Sequence, residues 1–140
     1  MGNVILKASI KAFLSRIIKV DSRYRAHVGD VLINRSGTTE KSPTCPNCKS
    51  WIRHWEVLSD EVRPTAGNCP ICGCSGLTEK GERAQIFGCH VTIKDGDDAK
   101  VYIAPLCQCC NNKAIGTEMT LKRDITLVKA SVAETCAKLK

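Results

Sequence analysis

Between residues 4 and 20 the apolar positions return at helical spacing. Leu6, Ile10, Phe13, Leu14 and Ile17 fall on one face, with Lys7, Lys11, Ser15 and Lys19 on the other. The pattern predicts an amphipathic N-terminal helix, and no acidic residue occurs before Asp21. Its apolar face suits a membrane surface, a mitochondrial presequence or a docking partner, or it covers the rest of the chain. Residues 23–35 predict a strand pair around Val28-Gly29-Asp30-Val31, followed by a Ser36–Thr39 linker. Trp51, Ile52, Trp55 and Leu58 gather on one side of a second helix for which Ser50 is a fitting N-cap. Residues 84–93 and 100–105 read as strands of a hairpin joined by Lys94–Ala99. Met119–Leu121 and Ile125–Val128 are two further short strands. The expected class is a small α+β fold.

One hundred and forty residues make one domain, or one domain plus an appended element, 43% hydrophobic but only 4% aromatic. An aliphatic core of that size is modest, and ten cysteines point to a staple of metal or disulfide. Three Cys-x-x-Cys pairs stand out: Cys45/Cys48, Cys69/Cys72 and Cys107/Cys110. Two-residue spacing lets both thiolates of a tight turn face one ion, and the gap from Cys48 to Cys69 suits paired zinc knuckles. Disulfides are the competing reading, but Lys7 and Lys11 interrupt any secretory h-region, so an intracellular, cytoplasmic setting is expected, with mitochondrial import left open. The expected cofactor is zinc, two ions per chain. Six paired thiolates leave two tetrahedral sites short by two ligands, and His54, Cys74 and His90 are the candidates to complete them. Cys136 lies far from every pair and is not expected to ligate.

The charge changes the picture further. Of the net +7, residues 1–41 carry +5, residues 42–110 carry −1 and residues 111–140 carry +3. A zinc module that grips phosphate by itself should be basic, and this one is not. The chain therefore divides into a basic N-terminal arm with the helix (1–41), a cysteine-rich zinc domain (42–113) and a C-terminal segment of strands and tail (114–140).

Within residues 69–113 the order Cys69-x-x-Cys72, Gly88-Cys89-His90-Val91, Cys107-x-x-Cys110-Asn111 resembles the zinc-stabilised branch of the His-Asn-His nuclease family. That resemblance implies a zinc-stabilised treble-clef or ββα-like core, with His90 as general base and Asn111 on the metal side. The acidic residue usual before the base is here Cys89, and the family's middle Asn is absent from Tyr102–Leu106. Soft sulfur does not replace carboxylate oxygen for magnesium, so the resemblance implies the fold more than the activity. The strings Ser50-Trp51-x-x-His54-Trp55 and Gly88-x-His90-Val91 also look like those of small bacterial proteins of no assigned function.

The expected function is a zinc-binding structural or interaction module, non-catalytic, docking through its termini on a larger protein or nucleoprotein assembly. The alternatives are a metal-dependent nuclease using His90, and a sequence-nonspecific nucleic-acid binder using the basic arms. No apolar run is long enough for a transmembrane segment. Contact of the N-terminal helix with a membrane surface stays open.

Overall fold

The computed structural model describes residues 2–35, 42–45, 47–73 and 85–139. The linker at Ser36–Thr39 and the candidate ligand Cys74 lie outside the described residues. Helix α1 runs Gly2–Asp21, α2 Trp51–Ser59 and α3 Gln108–Asn111. The strands are β1 Arg23–Ala26, β2 Val31–Asn34, β3 Ile86–Ile93, β4 Tyr102–Cys107, β5 Glu118–Thr120 and β6 Ile125–Lys129. They form one antiparallel sheet in the order β1-β6-β4-β3-β2-β5. Strands from the N-terminal, central and C-terminal segments share this sheet and one hydrophobic core.

The expected pairing of the strands flanking Val28–Val31 does not form: β1 pairs with β6, and β2 lies between β3 and β5. The reason is the turn itself. Asp30 N–H bonds the His27 carbonyl, Gly29 takes a positive φ of 92°, and Gly29 and Asp30 bond Leu121 rather than closing a hairpin. Four strand positions separate β1 from β2, about 19 Å across a flat sheet. The five steps from Ala26 to Val31 span at most about 17 Å even when extended. The sheet is therefore curled, which brings its two edges toward each other.

The β3–β4 hairpin matches its sequence pattern, with Ile86 opposite Cys107 and Val91 opposite Tyr102. Helix α2 lies across this hairpin. Ser50 caps it by accepting from Arg53 N–H, and Asp60 ends it in the left-handed region. Trp55, 2% exposed, donates its indole N–H to the Thr126 carbonyl at 2.8 Å, tying α2 to β6. Gly88 on β3 carries no side chain because the backbone of Trp51 and Ile52 occupies the place of a Cβ. That close approach sets the depth at which α2 packs.

Helix α1 covers the predicted 4–20 segment, but its apolar face does not cover the rest of the chain. Its C-terminal end is fixed by Asp60, whose carboxylate receives Lys19 and Arg23, each at 2.9 Å. Arg23 Nε also donates to the Leu58 carbonyl. These contacts turn the Lys19 side of the helix inward and leave Ile10, Phe13, Leu14, Ile17 and Val20 exposed.

Candidate metal centres

Two groups of side chains place their donor atoms within 4.8 Å of one another: Cys69, Cys72, Cys107 and Cys110, and Cys45, Cys48, His54 and Cys136. The first is built from a knuckle and a hairpin end. The knuckle closes through Gly73 N–H to the Cys69 carbonyl, with Gly73 in the left-handed region at φ 55°. Cys107 ends β4 and Cys110 lies in the single turn of α3, so chain order runs knuckle, hairpin, helical turn. Cys69 Sγ lies 3.8 Å from Cys110 Sγ, and Cys72 Sγ 3.4 Å from Cys107 Sγ. Four sulfurs at ~2.3 Å from one tetrahedral ion stand ~3.8 Å apart, so the group fits zinc in spacing and in donor chemistry.

The electrostatics point the same way. The Cys69 thiol is held well below its ordinary pKa, chiefly by a hydrogen bond from the Cys110 thiol and also by the Cys107 N–H. Cys107 is pushed up by burial, and Cys110 by sharing its proton with Cys69 and by burial. Thiols packed this closely resist becoming four thiolates on their own, and a divalent cation removes that repulsion.

The second group joins the first Cys-x-x-Cys knuckle to α2 and the C-terminal turn. Cys48 N–H bonds the Cys45 carbonyl, as a knuckle requires. His54 is fully buried, and its Nε2 lies 2.8 Å from the Lys129 carbonyl. A carbonyl only accepts, so Nε2 carries the proton and Nδ1 presents its lone pair to Cys136 Sγ, 3.4 Å away. Burial holds the His54 pKa below its ordinary value, against the opposing Lys129 hydrogen bond, which keeps the ring in the neutral form a metal needs. Burial raises the Cys48 thiol, with Arg53 opposing.

Two expectations are corrected here. Cys136, expected to be remote from every pair, stands in this group. A disulfide, the reading placed second to zinc, joins Cys45 to Cys136. The same two sulfurs serve either the disulfide or a Cys3His metal site, never both at once. In either state residue 136 is fastened to the first knuckle, closing 91 residues of sequence. The sequence signal for Cys136 was arithmetic only: six paired thiolates needed two more donors, and a lone cysteine in a tail carries no spacing motif.

The remaining candidates lie elsewhere. His90 on β3 belongs to neither group among the described residues. It is 8% exposed, with the Trp51 ring edge-on at 4.5 Å. Burial, and then the nearby His54, lower its pKa to about 4. Cys89 is buried against Asn34, its Sγ 3.5 Å from Oδ1. Asn111 is the last residue of α3 and Cys109 is exposed. Asn34 drew no notice in the sequence, yet its side-chain amide donates to the Lys113 and Ala114 carbonyls and holds the loop after α3 onto β2. Comparison with family models, curated proteins and solved structures finds no match to this chain.

Proposed function

We propose that the chain is a zinc-built, non-catalytic interaction module with a treble-clef-like centre. Cys69, Cys72, Cys107 and Cys110 hold one structural ion, and Cys45, Cys48, His54 and Cys136 hold a second when reduced. The observation that carries this reading is the convergence of four thiols from two distant Cys-x-x-Cys pairs on one point. The ions supply cross-links that the small aliphatic core lacks. They fasten the loops to the curled sheet, and the resulting scaffold presents α1 with its apolar face outward.

No chemistry at phosphate is assigned to His90. Its imidazole is buried edge-on against Trp51, and Cys89 bonds toward Asn34 where a nuclease would place an acid. The test has two parts. Cadmium-113 resonances of the reduced, cadmium-loaded chain should fall at two shifts, one for an S4 site and one for an S3N site; a single resonance defeats the two-site reading. Plasmid and single-stranded DNA and RNA incubated with magnesium, manganese or nickel should stay intact. Metal-dependent cleavage lost in His90→Ala would replace the module reading with a nuclease.

A further inference from the structure

Nine large apolar side chains stand exposed among the described residues, and five of them lie on α1. Ile10, Phe13, Leu14, Ile17 and Val20 are each 39–62% exposed. At 100° per residue they cover an arc of about 120°. The other side of the helix faces the domain: Ser15 and Lys19 are half-buried there, and Lys19 reaches Asp60 at 2.9 Å, while half-buried Ile18 lies about 40° beyond Leu14. The apolar stripe is thus held outward by contacts on the opposite face.

The rims of the stripe are cationic on both sides. Lys11 lies about 60° beyond Leu14, and Arg16 about 40° beyond Val20; both are exposed. Residues 1–20 contain no acid. A second copy offers one carboxylate on its own helix, Asp21 at the last position, against Lys7, Lys11 and Arg16, so face-to-face pairing would leave cations set against like charges. An anionic lipid surface supplies negative potential along both rims and an acyl boundary beneath the stripe. No helix among the described residues is long and apolar enough to cross a membrane, so contact would be in the surface plane.

We propose that α1 docks the module flat onto an anionic lipid bilayer, with Ile10, Phe13, Leu14, Ile17 and Val20 in the acyl boundary and Lys11 and Arg16 at the headgroups. This names the partner of the face presented by the scaffold; it rests on that part of the reading and not on the metal sites.

The full chain is floated with vesicles of phosphatidylcholine containing 30% phosphatidylserine, and with pure phosphatidylcholine vesicles. Zinc content and a circular-dichroism melt on the same samples separate a failed scaffold from a failed surface. Binding to the anionic vesicles should exceed binding to neutral ones by at least about tenfold, at about fivefold per cationic residue near the surface. Lys11→Glu/Arg16→Glu should remove that preference. Phe13→Asp/Leu14→Asp should abolish flotation while metal content and melting stay unchanged, since these side chains touch no core. No flotation, or equal binding to both vesicles, overturns the proposal. So does a concentration-dependent dimer in sedimentation equilibrium that Phe13→Asp dissolves, because the face would then belong to a second copy.

Discussion

His54 donates from Nε2 to the Lys129 carbonyl at 2.8 Å, and this one hydrogen bond decides which ring nitrogen faces the Cys45/Cys48/Cys136 sulfurs. The bond crosses from α2 to the end of β6, so the sheet itself orients the ligand. Metal-binding histidines held this way lose about 10–100-fold in affinity when the outer partner is lost. A backbone carbonyl cannot be mutated, but the ring can. His54→Ala should abolish zinc at this group and leave one ion per chain, measured by mass spectrometry of the reduced native protein. Retention of two ions would remove His54 from the ligand set.

Zinc stoichiometry should follow the redox state of Cys45 and Cys136. With the disulfide formed, only Cys48 and His54 remain as donors in that group, too few for a closed structural site. Protein purified with the disulfide intact should carry one zinc. After phosphine reduction and zinc loading it should carry two, and peroxide should return it to one as both thiolates are oxidised and the peroxide is reduced to water. An unchanged count across these states would show that the two sulfurs never share an ion.

Cys69→Ser and Cys109→Ser should behave as opposites. Cys69 touches both Cys110 Sγ and the Cys107 N–H, so its loss opens the knuckle–hairpin junction along with the metal. Cys109 is exposed and outside both groups. The first substitution should cost one zinc and cooperative melting, and the second should change neither. Equal behaviour in calorimetry would contradict the assignment of the third Cys-x-x-Cys pair.

Local chemistry was legible in the sequence, and long-range placement was not. The Ser50 cap, the Trp51–Leu58 periodicity and the turn between β3 and β4 are decided by neighbours within a few residues, and each appears where its pattern put it. The strands around Val28–Val31 also form. Their partners, β6 for β1 and β3 and β5 for β2, come from far along the chain, and no local pattern encodes that choice. The apolar stripe of α1 was equally clear, but its direction depends on Asp60, about forty residues away in the chain, which no local pattern singles out. Cys136 shows the same limit at the candidate site, since a ligand without a paired neighbour is visible only once the chain is folded.

Gly88→Ala tests how tightly α2 is pressed onto the hairpin. An added Cβ would overlap the Trp51 carbonyl carbon and the Ile52 amide nitrogen, both backbone atoms that cannot rotate away. Overpacking of this kind costs about 1–3 kcal/mol, here expected at the upper end because the helix must shift. The shift would also loosen Trp55 from Thr126, so a fall in denaturation midpoint should come with a change in tryptophan fluorescence. A midpoint within error of the parent would mean that α2 sits farther from β3.

His90 predicts the response to acid. Its pKa lies near 4 in the fold, lowered first by burial and then by His54, against an ordinary value of 6.5. Between those values the unfolded chain binds more protons than the folded one, so stability is lost as pH falls through that window. The loss reaches up to about 3 kcal/mol at the lower end, at 1.36 kcal/mol per pKa unit. Above pH 6.5 both states hold a neutral ring and the contribution vanishes. His54 shifts in the same direction, so the measurement belongs to a pair of chains that differ only at His90. His90→Phe keeps a ring beside Trp51 and removes the titration. Urea unfolding of parent and variant at pH 7.5, 6 and 5 should give curves that diverge toward acid, with the variant falling less. Parallel curves would show that His90 is already protonated in the fold, and that its surroundings are wetter than the packing of Trp51 indicates.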